Sequence, residues 1–240
     1  PGQQSKEEKA KTSPMATVKA LLTNKYWVML TIAMFVIFFV IIMYAVGAVY
    51  YAQYIFNDMS AYGWMSNTIA ISQFAIMFAT PFFMNRFGKR AIYTVGIALL
   101  TIGFAGFDLI GSNIPLMMFF NILKGCGLGM SGGMALGMVA DTITYGKLKS
   151  GINAVGMGNA GVSAAQKLGL GLGTAVLGWV LSGAGFNGAL SAAEQPAAVA
   201  VAIRFMYNWI PFIMCLIVLV IMVFFYNIER DLKKMQEEAK

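Results

Sequence analysis

The chain has 240 residues, of which 59% are hydrophobic, 11% are charged and none is His. A soluble domain is nearer half apolar and a quarter charged, so this is the composition of an all-α polytopic membrane protein, and His-based catalysis or metal ligation is excluded. The net charge of +7 is read as a bias of basic residues to one side of a bilayer, not as a nucleic-acid footprint.

Residues 1–24 are polar, with Lys6, Lys9, Lys11 and Lys19 between Pro1 and the first apolar run. They read as a cytoplasmic linker and not as a signal peptide, because no apolar core follows a short basic start. The chain opens on Pro1 instead of Met, which points to a processed chain or a fragment. Six apolar stretches follow, each long enough to cross a bilayer, which takes about 20 residues. They run from about Tyr26 to Tyr50, Trp64 to Met84, Ala91 to Leu109, Pro115 to Val139, Asn153 to Ser182 and Ile203 to Tyr226. The expected organisation is therefore a linker over 1–24, a six-helix transmembrane bundle over 25–228 and a cytoplasmic tail over 229–240. Aromatics gather at several span ends, as interfacial belts do: Tyr26 and Trp27, Tyr50, Tyr51 and Tyr54, Tyr62 and Trp64. Cys126 and Cys215 both lie in apolar segments, so no disulfide framework is implied.

The basic residues alternate with the spans. Lys25 joins the N-terminal group; Arg86, Lys89 and Arg90 follow the second span; Lys147 and Lys149 follow the fourth; Arg230, Lys233, Lys234 and Lys240 sit in the tail. The connections around Asn57, Ser112 and Gly188 hold none. This pattern predicts six spans in the cell (inner) membrane with both termini cytoplasmic.

Only Lys124, Lys167 and Arg204, of the 17 basic residues, fall within or at the edge of a span. Lys167 sits near the middle of the fifth, where a lysine costs roughly 2.5–3.5 kcal/mol on insertion scales unless it faces water or a partner. Helical spacing puts Asn159, Ser163, Gln166, Lys167 and Thr174 on or near one face, a polar stripe read as the wall of a solute pathway. Lys124, beside Asn121, is expected to line the outer half of the same cavity or to pair with Asp108. Arg204 reads as an interface anchor. Asn67 and Gln73 on the second span read as interhelical hydrogen bonders, and Tyr44 as a ring that can stack on a sugar. Gly125, Gly129, Gly133 and Gly137, with Gly169 and Gly173, recur every four residues, a spacing that lets helix backbones approach closely. The run PFFMNRFGKR, Pro81 to Arg90, makes a tight basic turn. Asp141, after the fourth span, is expected to cap a short helix or to pair with Lys147 or Lys149.

The run ADTITYGKLKSGINAVGMGNAGVSAAQKLGLGLG, Ala140 to Gly173, resembles the C-terminal half of the glycoside–pentoside–hexuronide:cation symporters, the melibiose-carrier-like branch of the major facilitator superfamily. The shared pattern is Ala-Asp, Tyr-Gly, a Lys-x-Gly turn, then a helix with Gln-Lys ahead of a glycine run. RFGKR, Arg86 to Arg90, is similar to the basic turn between the second and third helices of that half. The chain departs from the pattern at Thr144 and Lys147, where acids are common, at Asn153, where a basic residue is common, and at Gly132 and Gly133, where some members have an aromatic.

The resemblance implies half of a twelve-helix fold that moves a small sugar with Na⁺ or H⁺ by alternating access. Lys167 falls on the family's sugar- and cation-linked lysine and Ser163 on a polar position one turn before it. Gln166, Asn159, Lys124, Asn121 and Tyr44 complete the expected substrate-binding set, and Asp141, Arg86, Lys89 and Arg90 the expected cytoplasmic gate. No resident cofactor or metal is implied. The coupling ion would be held mainly by an N-terminal six-helix half absent from this chain, supplied by a split gene, the rest of a truncated sequence or a co-expressed chain. Two other readings fit the same spans: a structural or regulatory six-span subunit that moves no solute, and a homodimer of six-span halves.

Overall fold

A computed structural model describes residues 13–110 and 113–238. Lys6, Lys9 and Lys11 of the expected linker, the connection at Ser112 and Lys240 of the tail lie outside the described residues. Among the described residues there is no strand, and six helices are long and apolar enough to cross a membrane. We number the helices α1 Pro14–Leu22, α2 Lys25–Ile55, α3 Ser60–Phe87, α4 Lys89–Leu109, α5 Ile114–Ser150, α6 Val155–Gly183, α7 Ala197–Arg204, α8 Ile210–Val220 and α9 Ile228–Glu238. The first five spans are α2 to α6; the sixth runs through α7 and α8. It contains π-helical turns at Phe205–Trp209 and Ile221–Phe225, and α2 ends in another at Tyr51–Ile55.

The spans exceed the apolar runs wherever polar residues continue a helix past the bilayer. The largest difference is in α5, which continues to Ser150 instead of ending near Val139. Gly151 then stops it, with φ 70° and its N–H on the Lys147 carbonyl, a left-handed cap that glycine adopts without steric cost. The expected linker also contains structure: α1 docks Leu21, 5% exposed, into the core.

Helices pair where small residues remove the barrier between backbones. A Cβ at Gly125 or Gly129 would strike Ile69, Ser72 or Ile76 of α3, and one at Gly169 or Gly173 would strike Phe35 or Ile42 of α2. Gly127 and Gly96 make the same close approach between α5 and α4. Gly125 and Gly129, with Gly169 and Gly173, thus act as packing surfaces, whereas Gly133 and Gly137 further along the first row meet only side-chain atoms at 3.4 Å or more. The tightest pairings are α4 with α5, α3 with α5 and α2 with α6, and α8 packs behind against α4 and α2. The pair α2–α6 meets α3–α5 only lightly. That loose seam is where the bundle opens.

The two ends differ in chemistry. At the basic end, Lys89 Nζ donates to both Asp141 oxygens at 2.8 Å. Arg90 donates to the Met222 carbonyl from Nε at 3.3 Å and to the Val223 carbonyl from Nη2 at 2.8 Å. Those carbonyls belong to the last helical turn before Tyr226, where intrahelical partners run out. The Glu229 carboxylate accepts from the Arg90 N–H at 3.1 Å, at the start of α4, where negative charge meets the helix dipole favourably. Asp231 accepts from Tyr26 Oη at 2.6 Å and Lys25 Nζ at 3.2 Å. Asn24 caps α2 and donates to the Thr142 carbonyl of α5 at 2.7 Å. At the opposite end, Asp108 accepts from Arg204 at 3.2 Å and from Trp209 Nε1 at 3.0 Å.

Candidate functional site

The loose seam holds a hollow of about 330 Å³. Met34, Ile37, Phe38 and Ile41 of α2 form one wall, and Leu128, Ser131, Gly132, Ala135 and Leu136 of α5 the other. Gln73 of α3 and Gln166 of α6 enter from the two sides, and Tyr93 of α4 lies at the floor. A second hollow of about 180 Å³ lies between α2 and α3, lined by Tyr44, Ala45 and Ala48, and by Tyr62, Met65, Ser66, Ile69 and Ala70. Gln73 lines both. A larger crevice of about 640 Å³ lies on the perimeter at the basic end, beside Phe224 and Phe225, 69% and 62% exposed. Large exposed aromatics in a membrane helix mark lipid-facing or partner-facing surface.

The structure divides the expected substrate residues into four groups. Gln166 reaches the first hollow, where its amide makes only a 3.8 Å contact with the Met34 sulfur. Tyr44 reaches the second, with its ring 6.3 Å from that of Phe104. Lys167, Ser163 and Asn159 are exposed and line neither hollow. Lys167 lies one residue past Gln166, about 100° further round α6. Asn159 Nδ2 donates to the Val155 carbonyl of its own helix at 2.8 Å. The polar stripe therefore begins inside the hollow at Gln166 and continues onto an uncovered flank of α6.

Lys124 and Asn121 are elsewhere. Both are 0% exposed, and neither is among the residues that line the two hollows. Lys124 Nζ is 4.7, 3.9 and 4.5 Å from the ring centres of Phe104, Phe107 and Tyr207, and has no hydrogen-bond partner among the described residues. The pairing with Asp108 expected from sequence is replaced: Asp108 is taken by Arg204, which is thus an ion-pair partner and not a simple interface anchor. Asn121 Nδ2 donates to the Met65 carbonyl of α3 at 3.5 Å.

The expected gate residues converge at the basic end with one change of partner. Asp141 lies inside α5, not in a loop, and pairs with Lys89 of α4 instead of Lys147 or Lys149. Arg90 caps the π turn at Ile221–Phe225, and the Arg86 guanidinium lies 5.5 Å from the Phe87 ring centre.

Two residues that line the first hollow were not singled out for it in the sequence. Ser131 donates to the Gly127 carbonyl at 2.7 Å, leaving its oxygen free to accept. Gln73, read as helix glue, makes no side-chain hydrogen bond to another helix among the described residues. The only signal in the sequence was a carboxamide in mid-span, which fits glue and a ligand wall equally well.

A family model described as MFS/sugar transport protein matches residues 2–230. The chain belongs to that family. It is a family of transporters, not of enzymes. An isoprimeverose transporter of Lactiplantibacillus pentosus is 28% identical over 208 residues, 85% of this chain and 42% of that relative. A protein of Escherichia coli (strain K12), provisionally named a sulfoquinovose importer, is 26% identical over 180 residues, covering 75% and 38%. This MFS chain spans about two fifths of the length of these curated relatives. Its six long apolar helices make it a multi-pass membrane protein of this sugar-transport family.

Proposed function

We propose that this chain is the C-terminal six-helix half of a sugar:cation symporter of the inner membrane, with both termini cytoplasmic. The sugar lies between the halves near the midplane, and Na⁺ or H⁺ is bound mainly by an N-terminal half outside this sequence. The observation that carries this reading is the loose seam between α2–α6 and α3–α5. It holds a hollow that Gln166 lines, on the same helix whose Ser163, Lys167 and Thr174 stand uncovered. A lone bundle in lipid has no use for an exposed mid-span ammonium; a second bundle closing over a wet cleft gives it one, as sites at the interface of transporter repeats do. Lys167 then donates charge-assisted hydrogen bonds to sugar hydroxyls or tunes carboxylates of the other half. Alternating access follows as rocking of one half against the other, with Lys89–Asp141, Arg86 and Arg90 holding the cytoplasmic end of this half rigid.

Coupled sugar uptake by the full transporter carrying Lys167→Ala tests the assignment. The expected result is a loss of uptake of tenfold or more with normal membrane insertion; unchanged coupled uptake removes Lys167 from the pathway.

A further inference from the structure

We infer that the crevice at the basic end binds one anionic phospholipid of the bilayer, its phosphate held by Lys19 and Lys25 and its acyl chains laid against α2 and the end of the sixth span. The lipid site does not depend on which solute crosses the membrane, so failure of either reading leaves the other standing.

The crevice of about 640 Å³ begins where α2 enters the membrane. Leu22, Thr23 and Lys25 stand at its mouth. Val28 and Met29, one helical turn or about 5 Å further in, wall it together with Phe224 and Phe225 of the sixth span. Charge is thus confined to the mouth, and the interior is aliphatic and aromatic. A phospholipid presents its phosphate and its chains in that same order. Around α2, Lys25, Val28 and Met29 lie about half a turn from Met34, Ile37 and Ile41, which wall the seam. The crevice therefore opens to the perimeter, away from the face proposed for the second half.

Helix α1 extends the same surface. Met15, Val18 and Leu22 recur at helical spacing and are all exposed, while Leu21 is buried. No acid lies in α1, and Lys19 stands beside the apolar stripe, one turn before Leu22. An exposed apolar stripe next to a cation suits the headgroup–acyl boundary.

The mouth also sets the sign of the ligand. Lys25 is the one charged residue that lines the crevice. Its side chain is 56% exposed, and its contact with Asp231 at 3.2 Å leaves two of its three protons to donate. Lys19 is in no ion pair among the described residues. Asp231, the acid beside the mouth, already accepts from Tyr26 Oη at 2.6 Å and from Lys25. An anionic headgroup meets two ammonium groups here. A zwitterionic headgroup brings a further cation to a mouth whose acid is engaged. Each lysine beside an anionic headgroup should tighten binding about fivefold.

Photolabelling of the full transporter containing this chain tests the site. The protein, purified in detergent, is mixed with phosphatidylglycerol carrying a diazirine on one acyl chain, and labelled peptides are read by mass spectrometry. Label should concentrate at residues 22–29 and 221–225. Unlabelled phosphatidylglycerol should compete at a concentration about tenfold or more below phosphatidylcholine with the same chains. The double variant Lys19→Gln, Lys25→Gln should bring the two competitors to within about threefold of each other. Met29→Trp, which fills the crevice, should cut the label there about fivefold or more. Both variants are compared at an unchanged melting temperature; where one melts early, the wild-type labelling and competition decide alone. Label spread evenly around the perimeter, as ordinary boundary lipid gives, overturns the site, and so does a crevice left unlabelled because protein covers it. Equal competition by phosphatidylcholine overturns the anionic class, and a preference that survives the double variant removes the two lysines from it.

Discussion

At Lys124 two energies oppose one another. An ammonium with no exposed surface and no hydrogen-bond acceptor among the described residues has lost hydration worth several kcal/mol. Three ring faces at 3.9–4.7 Å return about 0.5–2 kcal/mol each. The two roughly cancel, so the charge adds little stability while the alkyl stem packs beside Gly103. Lys124→Met keeps the stem and removes the charge. It should hold or raise the melting temperature of the purified protein, by roughly 2–4 °C for each kcal/mol gained, whereas Lys124→Ala, which also opens a cavity, should lower it. A drop for the Met variant would mean that the ammonium has a stabilising partner beyond the rings. Sequence alone marked Lys124 as an odd charge but could not show which way it points. Its position on α5 fits both the seam and the α4 contact, and only the fold selects the aromatic side.

Among the helices, glycine positions separate sharply. A Cβ at Gly129 would collide with Ile76 and the Gln73 carbonyl, while nothing lies within 4 Å of one at Gly132. Gly129→Ala should therefore destabilise the bundle by roughly 1–3 kcal/mol, as overpacking does. Gly132→Ala should change stability by no more than about 1 kcal/mol, with helix propensity in its favour. Thermal melts of the two variants side by side check this, and equal losses would contradict the packing described. The four-residue row was legible in the sequence; that Gly127, out of that row, meets Gly96 on the other side was not. Asp141 shows the same limit. Once α5 continues as a helix, Lys147 lies about 240° round from Asp141 and Lys149 about 12 Å along the axis, so neither local partner can reach it. Lys89, 52 residues earlier in the chain, can. Polar residues after Val139 read as the end of a span, whereas the helix stops only where Gly151 supplies a left-handed cap.

For the molecule as a whole, the proposed orientation has a direct check. Ser150, at the basic end, and Ser191, in the connection between α6 and α7, lie at opposite ends of α6. Single-cysteine variants at these positions, in a Cys126→Ser, Cys215→Ser background, should label from opposite faces of intact cells. Ser191→Cys should react with an impermeant thiol reagent added outside, and Ser150→Cys only after permeabilisation. Labelling of both from one face would break the six-span alternation. What the sequence determined by itself was the class, the number of spans and the sidedness of charge, because these follow from burial of apolar length and from where cations can stay hydrated. What only the tertiary structure decided was which polar side chains share a space. Gln73, Ser131 and Gln166 share one hollow, Tyr44 meets Gln73 in the other, and Lys124 and Asn121 are withdrawn from both, because helix pairing through glycine contacts sets the rotation of each span. That rotation depends on contacts between residues far apart in the chain, which no local pattern encodes.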